Sequence, residues 1–417
     1  MKRHYLFLGL TLLLTACADQ EDIKGSAELI PLKADKSIRS FDEALQIAQS
    51  SITLLGESAK TRSQTSREIN LNATKVYKLD KAARTRSDIN DTLMYVFNFE
   101  DNQGFAIISA SKDTEGLLAL TEKGNYDPNT LSSVEGFNQF IDMAKNYIQR
   151  KAPYRSPAHQ IRDSVVILES SHVSPMLTVK WGQDNPEGEF CPNGIAGCMN
   201  TACAQVLSYY EHPNSISLTY DGADISNQSL NWTQIKSHQT GHSLSSCQTP
   251  DTHQAIGRLV RQLGEMNGSN YSSPTGTGTL NPNSPKNTMI NLGYQATVWY
   301  PYSFSNAKNA LYNQQLLFVK SGSHIWVFDG YIYQERKIYH LSKLGVNSDE
   351  WFIVSIDTEY TQLCHYNWGW YGDCDGYFSA NVFDTQAAEI YESTNNHDYD
   401  FTPSSSLGHA EMMTVYR

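Results

Sequence analysis

Residues 197–210 read GCMNTACAQVLSYY, and this stretch decides how the rest of the sequence is interpreted. Successive helical residues turn by about 100°, so a helix here places Cys203 near the centre of an apolar stripe and Cys198 roughly 110° away from it. Cys203 is therefore predicted to be a core residue and Cys198 to lie outside the stripe. The stripe is formed by apolar side chains at three- and four-residue intervals, namely Met199, Ala202, Cys203, Val206, Leu207 and Tyr210.

Cys198 lies in the first turn of this predicted helix. Unpaired backbone N–H groups and the helix dipole favour an anion at that end, so a thiolate would be stabilised there. Cysteines at helix starts are also structural or disulfide-bonded, and a catalytic interpretation therefore needs a base.

Two histidines are candidates for the base. His324 lies in SGSHIWVFDGY at 321–331, and His365 lies in CHYNWGW at 364–370. Both are on predicted strands, but His324 opens its strand directly after a Ser-Gly turn, where a side chain can face a cleft while the following residues anchor the strand. His324 is therefore predicted to be the base, with His365 as its competitor.

The N-terminal part of the chain predicts a small α+β domain. Residues 93–99 and 105–109 read as two strands joined by a turn, which predicts a β-hairpin. An apolar face with helical spacing runs through 134–148 after Ser132 and Ser133, which are suitable N-caps. The alternative interpretation of this region is an independent binding module.

Residues 149–157 lose all periodicity and carry two prolines and three basic side chains, which predicts an exposed linker. A larger domain follows from about Val173, first helical, then loop-rich through 214–284, then dominated by strands from Ala296. The predicted divisions are a signal peptide at 1–16, a propeptide at 17–150, an activation linker at 151–172 and a peptidase domain at 173–417.

The N-terminus has the layout of a bacterial signal peptide. Two basic residues precede an apolar run at 5–14, followed by LTAC at 14–17. The run is shorter than the about 20 residues of a spanning helix, and the small residues before Cys17 predict lipidation of that cysteine. An ordinary cleaved signal peptide, with Cys17 incidental, is the alternative. Both predict export, the first to an outer-membrane or cell-surface lipoprotein.

Composition narrows the class of protein. Hydrophobic residues make up 40% of the chain and charged residues 18%, which is typical of a folded globular protein. A net charge of -12 opposes contact with phosphate backbones, so no nucleic-acid partner is expected. The chain has no CxxC pair, which disfavours a zinc site. Export permits disulfides, and Cys364 with Cys374 is one candidate pair.

Three ordered motifs resemble the streptopain family of bacterial cysteine proteases. They are GCxxTAxAQ at 197–205, HxxVxDGY at 324–331 and NWGWxGxxDGYF at 367–378. WGQ at 181–183 and YSSPxGxG at 271–278 extend the resemblance. It implies an α+β chain, in which a papain-like cysteine protease domain follows a small inhibitory α+β prodomain.

The resemblance also implies roles for individual residues. Cys198 is the expected nucleophile and His324 its base, while Asn367 orients the His324 ring and Trp368 shields that contact from water. The Gln183 side-chain amide joins the Cys198 N–H as an oxyanion donor. No metal or organic cofactor is required. One departure from the family pattern is Tyr371, which interrupts a run of glycines.

The expected partners are peptide or protein substrates, the protein's own propeptide as an intramolecular inhibitor, and the membrane through a lipid on Cys17. Two alternatives share the scaffold. One is transfer of the acyl group to an amine instead of water, and the other is a catalytically inactive surface-binding or inhibitor protein. The sequence does not define the cleavage preference.

Overall fold

The computed structural model describes residues 38–58, 67–78, 92–150, 162–220, 225–238, 250–279, 281, 283–343, 351–383 and 410–417. Cys17, Cys247, His397 and His409 lie outside these ranges, as does the predicted signal peptide. Residues from Lys36 to Arg417 form one compact unit. None of the helices in the described ranges is both long and apolar enough to span a bilayer.

The predicted hairpin and helix of the N-terminal region are confirmed. The hairpin is formed by β2 and β3, and the amphipathic helix is α2, whose entry is capped by Ser132 Oγ accepting a hydrogen bond from Val134 N at 3.1 Å. The elements of this region are α1 (Phe41–Ser58), β1 (Lys75–Lys78), β2 (Thr92–Asn98), β3 (Phe105–Ser109), β4 (Leu117–Thr121) and α2 (Glu135–Arg150).

Among its described residues the C-terminal region has five helices and twelve strands, and seven of these strands have five residues or fewer. Its elements are β5 (Arg162–Val173), α3 (Cys198–Tyr210), β6 (Ser215–Leu218), β7 (Ile225–Ser229), α4 (Trp232–Ser237), α5 (Pro250–Met266), β8 (Ser269–Asn270), β9 (Gly278–Thr279), α6 (Ser284–Asn291), β10 (Gln295–Ala296), β11 (Tyr300–Pro301), α7 (Phe304–Tyr312), β12 (Leu316–Ser321), β13 (His324–Lys343), β14 (Trp351–Asn367), β15 (Gly376–Ser379) and β16 (Glu411–Tyr416).

The structure differs from two expectations about this region. The stretch expected to be loop-rich contains α5, whose buried Ile256, Leu259, Val260 and Leu263 pack against α3. The second half of the predicted activation linker is strand β5, which pairs along β13 from Tyr331↔Val173 to Leu341↔Arg162. Pairing with a long neighbouring strand supplies the order that the local sequence pattern does not indicate.

One sheet joins the two regions. Among the described residues it has twelve strands, and its main path runs β1-β2-β3-β4-β15-β14-β13-β12-β16-β10. The junction is the antiparallel pair of β4 and β15, with Tyr377 opposite Leu120. A Cβ atom at Gly376 would lie 2.5 Å from the Leu120 carbonyl oxygen, so this close approach requires glycine.

The hydrophobic core is also shared between the regions. Phe137 and Phe140 of α2 pack edge-on against Phe378 of β15, with ring centroids 6.3 and 4.8 Å apart. Burying one such side chain contributes about 1.5–3 kcal/mol. A second core lies around α3 and α5 within the C-terminal region alone. The N-terminal region is therefore held on the C-terminal region by backbone pairing and aromatic packing together.

Candidate active site

Cys198 is the first residue of α3, as predicted. Gly197 precedes it at φ +88°, and a Cβ atom there would meet Thr277 at 3.0 Å, so both backbone conformation and space favour glycine. The Cys198 sulfur lies 4.0 Å from the carbonyl oxygen of Ser323, the residue before His324. The start of α3 thus faces the turn between β12 and β13.

The body of α3 is buried on every side, from Met199 to Ser208. More of the helix is therefore buried than the predicted apolar stripe, because polar side chains of the helix are also enclosed. Cys203 is a core residue as expected, accepting a contact from Asn267 Nδ2 at 3.9 Å, and burial raises the pKa of its thiol to about 12.

The segment carrying Gln183 is bonded along the start of α3. Ala196 N donates to the Gln183 carbonyl at 2.7 Å, and Thr201 Oγ1 donates to the Gly182 carbonyl at 2.9 Å. Gln205 Nε2 donates to the Trp181 carbonyl at 3.2 Å. These bonds hold the segment of buried Gln183 along the start of α3, the helix that begins with Cys198.

His324 is fully buried, and its ring is directed at Trp368. Nε2 lies 3.0 Å from the Trp368 carbonyl oxygen, which can only accept, so Nε2 carries the proton. Nδ1 has no hydrogen-bond partner among the described residues and lies 4.0 Å from Glu135 Oε2. Nδ1 is therefore the unprotonated nitrogen of the ring.

The expected contact between Asn367 and His324 is not made in this form of the chain. Asn367 Oδ1 accepts from Gln205 Nε2 at 2.9 Å and from Gly369 N at 3.1 Å, while its Nδ2 donates to the Val179 carbonyl at 3.1 Å. Sequence reasoning assigned no role to Gln205. The one indication of such a role is that Gln205 is a polar residue in a helix whose neighbouring residues are buried.

Helix α2 of the N-terminal region covers His324. A Cβ atom at Gly136 would overlap the Trp368 ring and lie 2.6 Å from His324 Cδ2. The Trp368 ring is itself buried, 4.9 Å from Trp326 and 5.2 Å from Phe378 between ring centroids. Only glycine therefore fits at position 136, where α2 meets the rings of Trp368 and His324.

Burial affects the charge state of both His324 and Cys198. Burial lowers the pKa of His324 to about 4, against the opposing effect of the Trp368 carbonyl. Burial also raises the pKa of the Cys198 thiol, and the Glu135 carboxylate adds to that increase. The expected thiolate is therefore not favoured here, because desolvation outweighs the N–H groups of Ile325, Met199 and Cys198. At neutral pH both groups are uncharged.

His365, the competing histidine, lies in an ionic cluster instead. Its Nδ1 is 2.6 Å from Asp329 Oδ1, and its Nε2 is 3.4 Å from Glu122 Oε1 at the end of β4. Burial lowers the pKa of His365, but the two carboxylates outweigh it and raise the value to about 9. His365 therefore keeps its proton at neutral pH and is bonded within this ionic cluster.

The same cluster reaches the main chain of Trp368. Lys180 Nζ lies 3.1 Å from Glu122 Oε2 and 3.3 Å from Asp375 Oδ2, and Asp375 Oδ1 accepts from Trp368 N at 2.9 Å. The roles of Glu122, Lys180 and Asp375 are not evident from the sequence, because the ion pairs of Lys180 join residues 58 and 195 positions apart.

The candidate disulfide between Cys364 and Cys374 is wrong, since both are free thiols. The Cys364 sulfur lies 3.8 Å from the Tyr302 hydroxyl, whereas the Cys374 sulfur lies 4.0 Å from Ser132 Oγ. Burial raises the pKa of each thiol to about 12. The two side chains pack in different surroundings.

Comparison with known proteins gives the family. A model described as Peptidase C10 family matches residues 181–378, and one described as Spi protease inhibitor matches residues 35–148. Streptopain from Streptococcus pyogenes serotype M28 is 23% identical over 341 residues, covering 74% of this chain and 79% of streptopain, and streptopain from serotype M1 matches to the same extent.

A solved structure of a prointerpain A fragment from Prevotella intermedia, carrying a cysteine-to-alanine substitution, has the same fold. It matches with a TM-score of 0.52 and 21% identity, covering 82% of this chain and 98% of the fragment. The chain therefore belongs to the Peptidase C10 family of streptopain-like cysteine endopeptidases, and it is a zymogen with an N-terminal propeptide domain.

Proposed function

We propose that Cys198 and His324 are the nucleophile and general base of this endopeptidase, supported by Gln183, Asn367 and Trp368. The observation that carries this assignment is the start of α3. Cys198 lies in its first turn, the Gln183 segment is bonded along it, and the Ser323 carbonyl next to His324 lies 4.0 Å from the sulfur.

In this mechanism the prodomain leaves first, so that His324 Nδ1 can take the Cys198 proton. The thiolate attacks the peptide carbonyl carbon, and the new oxyanion accepts from the Cys198 N–H and the Gln183 amide. Imidazolium His324 then gives its proton to the leaving amine as the C–N bond breaks. Water activated by His324 hydrolyses the thioester and restores the thiol.

Asn367 acts on His324 through its neighbour. Gln205, Val179 and Gly369 hold the Asn367 side chain, and the carbonyl of the next residue, Trp368, accepts from His324 Nε2. A fixed Asn367 therefore fixes the acceptor that orients the imidazole. This arrangement replaces the direct Asn367–His324 bond expected from the sequence.

The prodomain suppresses activity by covering the base. With Gly136 against the His324 ring and Glu135 4.0 Å from Nδ1, α2 occupies the approach to the imidazole. Since the covered pair is neutral, removing α2 exposes His324 to water and favours the charged thiolate–imidazolium form. Cleavage between Arg150 and Arg162 would separate α2 from β5, a narrower interval than the 151–172 linker expected from the sequence.

The chain is further proposed to be exported and anchored through a lipid on Cys17, with release from the membrane on prodomain cleavage. The support is the basic, apolar and LTAC pattern of residues 1–17. Metabolic labelling with radioactive palmitate should label the wild-type precursor and spare Cys17→Ser. An exported but unlabelled wild type would instead indicate an ordinary signal peptide.

The catalytic assignment is tested with Cys198→Ala and its matched control Cys203→Ala. Peptide hydrolysis and labelling by an epoxide thiol probe should be lost in the first and retained in the second. The assignment would be contradicted if Cys198→Ala and wild type were labelled equally and mass spectrometry located the label in the same peptide of both. Incubation of the Cys198→Ala precursor with mature enzyme, followed by product mapping, locates the activating cut.

A further inference from the structure

Tyr371 occupies an unusual place in the loop between β14 and β15. Its backbone adopts φ +58°, a region that costs energy for a residue with a large side chain. Its side chain is nevertheless buried, at 1% exposure, although it lies in a loop. A strained and buried aromatic residue persists only where its surroundings hold it in place.

The surroundings of Tyr371 are the segment that carries Gln183. A Cβ atom at Gly182 would overlap the Tyr371 ring, so the ring lies directly on that glycine. The Tyr371 hydroxyl accepts a hydrogen bond from Asp184 N at 2.6 Å. Burial raises the pKa of Tyr371 far above its ordinary value, and the Asp184 and Gln183 amides oppose that increase. Tyr371 therefore contacts the residues on both sides of Gln183.

We propose that Tyr371 is a positioning residue that fixes Gln183 as an oxyanion donor and ties it to the loop that orients His324. The inference rests on the proposed function of Gln183 and deepens it. The opposite side of the same segment is bonded to α3 through Thr201 and the Gly182 carbonyl. Gln183 is thus clamped between the helix of the nucleophile and the loop of the base.

The loop of Tyr371 also carries the His324 acceptor. Trp368, three residues earlier, accepts from His324 Nε2 through its carbonyl and is held at its N–H by Asp375. All of these contacts lie within the peptidase region, so removal of the prodomain leaves them in place. Tyr371 therefore joins the oxyanion side of the cleft to the base side in the mature enzyme.

The expected effect follows from the part that the hydroxyl plays. Loss of an oxyanion donor costs about 10²–10³ in turnover. Loss of the group that positions the donor should cost less, about tenfold in kcat with little change in KM, because the substrate ground state does not use the donor. The donor is used only once negative charge develops on the carbonyl oxygen.

The test compares mature Tyr371→Phe with mature Tyr331→Phe. Tyr331 is a buried tyrosine whose hydroxyl has no hydrogen-bond partner among the described residues, so its loss should leave kcat unchanged. For Tyr371→Phe, kcat and the affinity for a peptide aldehyde should fall together by about tenfold, because the aldehyde adduct places an oxygen at the oxyanion position. The rate of epoxide labelling at Cys198 should stay at the wild-type value.

A second comparison separates positioning from a purely structural role. In a Gln183→Ala background, Tyr371→Phe should have no further effect on kcat, since its target is absent. Wild-type kcat and aldehyde affinity in Tyr371→Phe, or a full additional loss in the Gln183→Ala background, would overturn the inference. Neither outcome affects the Cys198 assignment, which stands or falls on probe labelling of Cys198→Ala.

Discussion

His324 and His365 lie on adjacent strands of one sheet, and both are completely buried, yet their charge states differ. His324 has a tryptophan ring and α2 around it, and burial lowers its pKa to about 4. His365 is buried too, but it lies between Asp329 and Glu122, which raise its pKa to about 9. Burial therefore outweighs the exposed Glu135 carboxylate 4.0 Å from His324, whereas the closer carboxylates at His365, at 2.6 and 3.4 Å, outweigh burial.

The difference supports the different functions proposed for the two histidines. The ring of His324 is buried partly by α2 of the prodomain, so its protonation can change when the prodomain leaves. His365 keeps its proton across the physiological range because its partner Asp329 belongs to the peptidase region itself. A general base must change its protonation state during turnover, whereas a structural cation must keep its proton.

The largest expected effect distinguishes the two histidines directly. His324→Ala in the mature enzyme should lower kcat by about 10²–10⁴, the range for loss of a general base. His365→Gln, which keeps hydrogen-bonding capacity toward Asp329, should stay within about threefold of wild type. Turnover is measured on a peptide substrate, normalised to the folded fraction. The reverse ranking would assign the base to His365.

The second effect is a loss of stability at alkaline pH. The folded pKa of His365, about 9, lies above its unfolded value near 6.5, so the folded state holds the extra proton. This stabilisation is complete below pH 6.5 and is lost as pH rises through about 9. The free energy of unfolding should fall by about 3 kcal/mol at most over that interval, as urea titrations would measure.

His365→Gln provides the control, since it should remove this alkaline slope. For His324 in the precursor we expect the opposite dependence of stability on pH. Its folded pKa of about 4 lies below the unfolded value, so stability should decrease as pH falls from 6.5 toward 4. An alkaline slope that persists unchanged in His365→Gln would show that other groups cause it.

A smaller effect is expected where the prodomain joins the ionic cluster. Glu122→Gln removes a carboxylate from both Lys180 and His365, but each keeps a partner in Asp375 or Asp329. The precursor should lose about 2 kcal/mol of unfolding free energy, the usual contribution of a charged hydrogen bond. Glu100→Gln, at an exposed residue of the same region, is the matched control. Equal stability of the two variants would exclude a role for Glu122.

The smallest expected effect concerns the cover on His324. Gly136→Ala places a methyl group where the Trp368 and His324 rings lie, so α2 must move away from them. Early epoxide labelling of Cys198 in the precursor should become about tenfold faster, a change of about 1.4 kcal/mol. Gln149→Ala, at an exposed position of the same helix, should label at the wild-type rate. Unchanged labelling of Gly136→Ala would mean that α2 does not restrict the site.

Local patterns made part of this structure predictable. The hairpin β2–β3 and helix α2 follow from periodicity within a few residues, and Cys198 and Gln183 lie in compact motifs. The sequence of α5 also has apolar residues at helical spacing, but its polar face and the polar residues on either side made the helix difficult to predict. The bond of Gln205 to Asn367 spans 162 residues and that of Lys180 to Glu122 spans 58. Such contacts arise from tertiary packing, which local periodicity does not encode.

We infer that the prodomain keeps Cys198 and His324 neutral. The most direct measurement is the rate of Cys198 alkylation by iodoacetamide as a function of pH, in precursor and mature enzyme, quantified by mass spectrometry of the Cys198 peptide. The mature enzyme should react rapidly from weakly acidic pH, as a thiolate–imidazolium pair does, whereas the precursor should react slowly until alkaline pH. Identical pH profiles for the two forms would contradict the claim.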